Sequence, residues 1–399
     1  MRCRSVIAGL LAPALSLFGQ SPGYELLLRE GTVLRAQSLT GDADAGFDVE
    51  VTGGRRHLAG AEVLVVMGVP AAVPALPAAY LAGGEVVRGT VGGGDSAGNR
   101  LELVSPVFGR VGLAVDRLEV LASASGVVPS LLRLPPGVGE ALFVRATIGF
   151  DVLAGALHQF GESGVRFQPA GSAAPRWFSG QEFAALRLRD AAARESAPGA
   201  CLLTRVGDRV GIDQAKWTRD GLACELEGGT KVVVRGADVA SVVWCRDVVF
   251  LSDLVPSHVE ESGFDGEVVH PFRVDHNVLG GPLLASGRSP AKGLGVHSKS
   301  RLSFRVPDGM ERFWTRVAFD DSATTLGLLP RANLEVRVND RPVLGKQDFG
   351  AGDAPLDTGL VPVRPGDTVT LLVEPGLGRD LGDRVDWLCP MFLPPARRP

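Results

Sequence analysis

Four residues in the last third of the chain have side chains suited to recognising a ligand rich in hydroxyl groups, such as a sugar. They are His297, Asp321, Asp386 and Trp387. Imidazole and carboxylate groups exchange hydrogen bonds with hydroxyls, and the face of an indole packs against the C–H face of a pyranose ring. We therefore treat these four as candidate carbohydrate-binding residues.

Each candidate also has a purely structural alternative. His297 either donates to a ligand hydroxyl at the mouth of the fold, or is a buried histidine that holds the turn before the next strand. Trp387 is either a stacking surface or a core residue of the final strand. Asp386 either accepts hydrogen bonds from hydroxyls or caps a turn. Asp321 follows Asp320 at a predicted strand end, where two adjacent acids usually terminate the strand. The sequence leaves these alternatives open.

Other kinds of chemistry are only weakly indicated. Asp380, Asp383 and Asp386 fall three residues apart beside glycines, and Ca²⁺ prefers such oxygen ligands, but a solvated loop is the alternative. The glycine-rich residues 376–382 break the G-x-G-x-x-G spacing and indicate a turn. The chain has no G-x-S-x-G and no H-E-x-x-H motif, and no segment of catalytic size lies beside the repeats described below. We predict a non-catalytic protein without a cofactor.

The strands that would position the candidates are marked by alternation. In Arg301-Leu302-Ser303-Phe304-Arg305-Val306, apolar and polar residues alternate, so Leu302, Phe304 and Val306 should face a core and the polar residues should face the opposite side. Residues 334–338 and 369–373 are predicted to be strands for the same reason. The pattern is compatible with an antiparallel β-sandwich.

The order of these landmarks resembles the NPCBM/NEW2 family of carbohydrate-binding modules, which are found beside glycoside hydrolases of family 98 type. The series begins with Phe250-Leu251-Ser252-Asp253-Leu254 and continues with Lys292-Gly293-Leu294-Gly295-Val296-His297. The alternating strand, the acidic pair and the terminal Asp-Trp pair follow. Ser298 and Val385 stand where the family usually has alanine. The resemblance covers residues 247–395 and implies a galactose-binding-like jelly-roll β-sandwich that binds carbohydrate.

The preceding part of the chain contains a repeat. Each unit opens with a strand that begins near a glycine and an acidic residue, continues through two turns, and closes with an acidic-x-x-apolar segment. We predict four small SH3-like or Sm-like β units, and their ranges are 24–68, 79–122, 144–188 and 201–246. In the third unit, Arg176-Trp177-Phe178 could instead belong to a differently folded insertion. The fourth unit runs almost directly into residue 247, which predicts that it docks on the C-terminal module.

Composition supports an all-β chain with little attraction for polyanions. The 399 residues are 45% hydrophobic and include 52 glycines and 27 prolines, which predicts frequent turns. A net charge of −4 gives no electrostatic basis for binding nucleic acid or an anionic membrane.

Residues 1–20 have the form of a secretory signal peptide. Arg2 and Arg4 precede an apolar stretch that is too short for a comfortable membrane span, and an uncleaved anchor is the alternative. We expect an exported protein that is periplasmic, at the cell surface or extracellular, with no membrane span once the signal is removed.

Four cysteines would then remain. They are Cys201, Cys224, Cys245 and Cys389. The chain contains no C-x-x-C spacing, which would have indicated a zinc site. An oxidising compartment permits disulfides, but we expect these cysteines to be buried thiols.

Two functions follow from these observations. In the first, the chain binds glycan at the cell envelope or outside the cell through its C-terminal module. In the second, it is an envelope scaffold without sugar binding, in which the N-terminal units contact protein partners. The low aromatic content of 6% weakens the first function, because sugar-binding surfaces usually rely on aromatic rings.

Overall fold

The computed structural model describes residues 23–396, apart from 96–98, 124–131, 133–137, 195–197, 245, 264–268, 326, 328 and 378–379. The predicted signal at 1–20 and Cys245 therefore lie outside the described residues. Throughout the described ranges the secondary structure consists of strands and short 3-10 turns, which confirms the all-β prediction. No helix in this part of the chain has the length and apolar character that crossing a bilayer requires.

The N-terminal part contains four segments of similar strand content. The first comprises β1 (Tyr24–Leu28), β2 (Val33–Ala36), β3 (Ser38–Asp42), β4 (Gly46–Val51), β5 (Gly54–Leu58) and β6 (Val63–Met67). The second comprises β7 (Ala78–Leu81), β8 (Val86–Arg88), β9 (Thr90–Gly94), β10 (Arg100–Ser105), β11 (Gly109–Ala114) and β12 (Leu118–Ala122). The third comprises β13 (Glu140–Arg145), β14 (Phe150–Gly161), β15 (Gly164–Pro169), β16 (Arg176–Ser179) and β17 (Phe183–Leu188). The fourth comprises β18 (Ala200–Thr204), β19 (Arg209–Thr218), β20 (Gly221–Leu226), β21 (Lys231–Val234) and β22 (Val239–Trp244).

Each segment repeats one pairing plan. The first strand pairs antiparallel with both the second strand and the closing strand, as β1 does with β2 and β6 and as β18 does with β19 and β22. In three segments a 3-10 turn precedes the closing strand, at Gly60–Glu62, Val115–Arg117 and Gly236–Asp238. Strand β16 pairs with β15, so Arg176-Trp177-Phe178 belongs to the third segment. The assignment of these segments to the SH3-like or Sm-like class, and their domain boundaries, stay predictions.

The segments associate in a nested order through their closing strands. Strand β6 of the first pairs with β22 of the fourth, and β12 of the second pairs with β17 of the third. Strand β19 joins the two pairs by contacting β8 and β3. One apolar core runs through all four segments and includes Phe47, Phe160 and Trp217.

The C-terminal part is a sandwich of two antiparallel sheets. Its strands are β23 (Val249–Phe250), β24 (His258–Glu261), β25 (Arg273–Val274), β26 (Gly293–His297), β27 (Ser300–Arg305), β28 (Arg312–Phe319), β29 (Arg331–Val338), β30 (Arg341–Gly350), β31 (Leu356–Asp357), β32 (Val361–Pro362), β33 (Thr368–Pro375) and β34 (Arg384–Leu393). Short 3-10 turns lie at Leu251–Asp253 and Asp321–Thr324.

The two sheets enclose the predicted core. A seven-stranded sheet has the order β25-β26-β34-β28-β31, with β23 paired to β34 and β32 paired to β28, and a five-stranded sheet has the order β24-β27-β33-β29-β30. The strands predicted from alternation are confirmed as β27, β29 and β33. Leu302, Phe304 and Val306 are buried between the sheets, as the alternation predicts.

The outer face of the seven-stranded sheet is covered by the N-terminal segments. Phe250, Trp314 and Met391 form one apolar cluster with Val65 of β6 and Val243 of β22. Burial of this apolar surface on both sides favours a fixed arrangement over a flexible link.

Hydrogen bonds cross the same interface. The Ala291 amide donates to Ser241 Oγ at 3.2 Å, and the Ala71 amide donates to Ser289 Oγ at 3.0 Å. Ser241 belongs to the fourth segment, so the predicted docking of that segment on the module is confirmed.

A buried ion cluster fixes the same interface. The Arg209 guanidinium donates to the Asp275 carbonyl at 2.6 Å, lies 3.1 Å from its carboxylate, and also donates to the Ala291 carbonyl. Lys292 Nζ approaches the same carboxylate at 3.3 Å. Burial acts to raise the pKa of Asp275, but the charges of Arg209 and Lys292 outweigh burial and hold that pKa below its usual value.

The cysteines that the structure describes are free thiols. Cys224 and Cys389 are buried and Cys201 is half-buried. Burial raises the pKa of Cys224 and of Cys389 to about 12, which disfavours the reactive thiolate. Cys224 and Cys389 agree with the expectation of buried thiols, whereas Cys201 is only partly buried.

We expect Arg209→Ala to destabilise the protein by about 3–5 kcal/mol, because the substitution leaves the buried Asp275 carboxylate without its main partner. Urea unfolding measures the change. The matched control is Arg35→Ala, because the side chain of Arg35 is 87% exposed and its ion pair with Glu25 is open to solvent on the arginine side. Equal effects of the two substitutions would show that the buried cluster does not hold the interface.

Candidate functional site

The sequence-predicted residues lie near one end of the sandwich, which we call the loop end. Strand β26 finishes at His297, directly opposite Arg384 at the start of β34, and β28 finishes beside them at Phe319. The backbone pairing therefore brings three separate motifs to one edge.

His297 lies half-buried at this edge. Its imidazole packs against His270, with ring centroids 4.7 Å apart and planes inclined by 37°. Burial lowers the pKa of His297, and the neighbouring His270 lowers it further. A neutral imidazole retains one donor and one acceptor, so His297 keeps the chemistry needed to bond a hydroxyl.

Trp387 does not face solvent. It is 1% exposed and packs in the sandwich core with Val296 and Val317. The structural alternative is therefore the right one for Trp387, because an indole enclosed between two sheets offers no face to a sugar ring.

Asp386 is also buried, and it lies against a second carboxyl group. The Leu284 amide donates to Asp320 at 3.1 Å and to Asp386 at 3.3 Å, so the two carboxyl groups share one donor. Burial raises the pKa of Asp386 well above its usual value, and the adjacent Asp320 raises it further. The protonated Asp386 can then donate to Asp320. This pair organises the loop end from inside and does not reach a ligand directly.

Asp321 has a structural task as well. Its carboxylate accepts from the Ser286 amide at 2.8 Å and from the Gly287 amide at 2.9 Å. The neighbouring Asp320 accepts from the Ser322 amide at 3.0 Å and so begins the 3-10 turn. The acidic pair therefore fixes two turns at the end of β28.

The three acids considered for Ca²⁺ are not arranged as a cation site. Asp386 points to Asp320, whereas Asp383 is buried elsewhere, and burial raises its pKa to about 7. Among the residues that the structure describes, no three histidine, cysteine or acidic groups are placed to hold a metal ion.

A second surface has groups that are better placed for a ligand. We call it the polar groove, and it lies on the outer face of the five-stranded sheet. The backbone pairing places His258, Ser303 and Thr370 in one row across β24, β27 and β33. The groove encloses about 500 Å³, and every residue that lines it is polar. They are Ser257, His258, Arg301, Ser303, Asn339, Asp340, Thr368 and Thr370.

The groove is organised by its own contacts. Ser303 Oγ and Thr370 Oγ1 are 2.9 Å apart, and Arg301 forms an ion pair with Asp340 at 3.5 Å. The buried Nε of Arg301 has no hydrogen-bond partner within the described part of the chain. A buried donor without a partner is costly, so a ligand oxygen that accepts from it would be favoured.

None of the groove residues was among the sequence-predicted candidates. The available signal was the polar half of the alternation in β27, because Arg301 and Ser303 had to share one outward face. The contributions of β24 and β33 depend on long-range strand pairing, which alternation within one strand does not reveal.

We expect Asp386→Asn to gain stability relative to the natural protein as pH rises. The folded pKa of Asp386 lies above its unfolded value of about 3.9, so the stability that this proton provides is complete below that pH and is lost as pH rises toward the folded pKa. Asparagine keeps a donor toward Asp320 at every pH. Urea unfolding between pH of about 4 and 8 measures the difference.

The control is Asp308→Asn, because Asp308 is exposed and its substitution removes one carboxylate from the surface without changing the buried pair. A stability difference between Asp386→Asn and the natural protein that stays constant with pH would contradict a shared proton in the buried pair.

Comparison with solved structures finds several remote likenesses. One is a CBM51 from a Clostridium perfringens GH95 in complex with methyl-galactose, at 20% identity and TM-score 0.32, covering 36% of this chain and 99% of that one. Another contains CBM51-2 in complex with GlcNAc and INT domains from Clostridium perfringens ZmpB. It matches at 20% identity and TM-score 0.33, and the match covers 46% of this chain and 37% of that one. Tandem CBM51 modules of a Streptococcus pneumoniae family 98 glycoside hydrolase match at 12% identity and TM-score 0.33, and the match covers 93% of this chain and 88% of that one.

Because these identities and TM-scores are low, the assignment of the module rests on a family model. No curated protein matches the chain. The family model for the NPCBM/NEW2 domain matches residues 247–393, and this range includes both sheets of the sandwich. The C-terminal third of the chain therefore belongs to the NPCBM/NEW2 domain family.

Proposed function

We propose that the C-terminal module binds a neutral glycan in the polar groove and does not catalyse a reaction on it. The observation that carries this proposal is the all-polar lining of the groove together with the unpartnered donor of Arg301. Membership of residues 247–393 in the NPCBM/NEW2 family supports it.

The groove offers the hydrogen-bonding groups that sugar hydroxyls require. A hydroxyl both donates and accepts, and the lining supplies hydroxyl, imidazole, amide, guanidinium and carboxylate groups. Charged partners strengthen such bonds, and Arg301 and Asp340 provide one charge of each sign.

The charges at this surface cancel locally, which favours a neutral ligand. Arg301 is paired with Asp340, and Arg337, opposite Thr370 in the same sheet, makes two bonds of 2.9 Å to Glu335. A charged sugar would have to break one of these pairs, whereas a neutral glycan can accept from Arg301 Nε without doing so.

Among the described residues that line the groove there is no Phe, Tyr or Trp, so affinity must come mainly from hydrogen bonds rather than from ring stacking. We further propose that the ligand is met outside the cytoplasm, at the envelope or beyond it. The charged start and apolar stretch of residues 1–20 support export.

We expect Arg301→Ala to weaken glycan binding by about tenfold to a hundredfold, because hydrogen bonds to a charged group contribute about 1.5–3 kcal/mol. His258→Ala, on the same row of the groove, should also weaken binding. A glycan array with the full chain identifies the ligand, and isothermal titration then measures the affinity of each variant.

Two matched variants make this test specific. Arg305→Ala removes an arginine from the same face of β27 outside the groove lining and should leave the affinity unchanged. His297→Ala tests the loop end. Loss of binding in His297→Ala with full binding in Arg301→Ala would move the site to the loop end. Failure of the natural protein to bind any glycan would favour the scaffold function.

A further inference from the structure

One tryptophan in the N-terminal part differs from the others in its environment. Trp177 on β16 is 44% exposed, whereas the other four are each at most 3% exposed. It belongs to the third segment, so it is separate from the polar groove. An exposed indole costs free energy in water, and tryptophans in such positions are common at binding surfaces.

The indole of Trp177 has a rigid support. A Cβ atom added to Gly161 would lie 2.3 Å from Cη2 of Trp177 and 3.1 Å from Cζ3, so the six-membered ring packs closely against the backbone of this glycine. Inside the same sheet, Phe167 and Phe178 are fully buried and anchor β15 and β16. The ring is therefore positioned by the sheet while much of it stays accessible.

Polar residues lie beside the ring in the same row. Backbone pairing places Trp177 opposite Arg166, and Arg166 opposite Gln159, so all three face outward together. Side chains paired in this way have Cβ atoms about 4.5–5.5 Å apart. Close by, His158 and Gln168 are joined by a hydrogen bond of 3.0 Å.

Arg166 is exposed and forms no ion pair with any residue that the structure describes. Arg176 precedes Trp177 on β16 and so points to the other face of the sheet, where its guanidinium lies 4.0 Å from the centre of the Phe178 ring. Arg166 is therefore a cation available to a ligand stacked on Trp177.

We propose that Trp177, Arg166 and Gln159 form a second carbohydrate site, which takes an acidic pyranose such as a uronate. The indole would pack against the C–H face of the ring, and the guanidinium fork would donate two parallel hydrogen bonds to the carboxylate of the sugar. Gln159 offers a donor and an acceptor to the ring hydroxyls. Because Trp177 and Arg166 are a cross-strand pair, their Cβ atoms lie about 5 Å apart, so both side chains can reach one small ligand.

This site goes beyond the proposed function and does not rest on it. If both sites act, one chain holds a polysaccharide at a neutral and at an acidic unit, and the linked binding events raise the overall affinity. The pairing of the two surfaces would then select polymers that contain both kinds of sugar.

The test uses the full chain with trigalacturonate and with its methyl ester, which keeps the same rings but lacks the charges. Because the other tryptophans are buried, protection of the fluorescence from acrylamide quenching reports on Trp177. We expect protection by trigalacturonate, and a loss of affinity of about tenfold or more in Trp177→Ala by titration calorimetry. Arg166→Gln should lose about tenfold for trigalacturonate and bind the methyl ester as the natural protein does.

Controls separate this site from the groove and from general effects of charge. Arg56→Gln, an exposed arginine of the first segment, should change neither affinity. The Trp177 and Arg166 variants are repeated in an Arg301→Ala background, where the expected losses should be the same. Natural protein that does not bind trigalacturonate, undiminished binding by Trp177→Ala, or equal losses for both ligands in Arg166→Gln would each overturn the proposal.

Discussion

The arrangement of the whole protein depends on the burial of one apolar sheet face. The seven-stranded sheet packs its inner side against the five-stranded sheet, and its outer side carries Phe250, Trp314 and Met391. Exposing these apolar side chains to water would cost free energy, and the paired strands β6 and β22 cover them. In the part of the chain that the structure describes, the polar groove lies on the outer side of the other, five-stranded sheet.

The buried ionisable groups hold strands and loops in place and do not face a ligand. Arg209 and Asp275 join the N-terminal segments to the sandwich, and Asp320 and Asp386 join the ends of β28 and β34 to the loop at Leu284. Buried ionisable groups of this kind, whether charged as in the Arg209–Asp275 pair or protonated as in Asp386, add little net stability over apolar packing, but they permit few alternative geometries. This explains how the acidic residues of the family-like motifs can matter without contacting a ligand.

Sequence reasoning succeeded where a rule acts within one strand. The alternation of Leu302 and Phe304 predicted which side of β27 is buried, because side chains on a strand alternate strictly. It failed for Trp387, since a tryptophan near a strand end is equally consistent with a core and with a surface. Trp177 faces outward only because of its register with β15. In addition, the four units are too similar in sequence to specify which of their closing strands pair. These features are set by contacts between distant segments.

The nested order of the closing strands has a consequence during synthesis on the ribosome. The second and third segments can pair as soon as both have emerged, but β6, whose five residues are all buried, must wait for β22 near the end of the N-terminal part. Until then an apolar strand with an open edge is available to the wrong partners. The apolar face of β6 stays uncovered even longer, because Val65 also packs against Trp314 and Met391 of the sandwich, which is translated last.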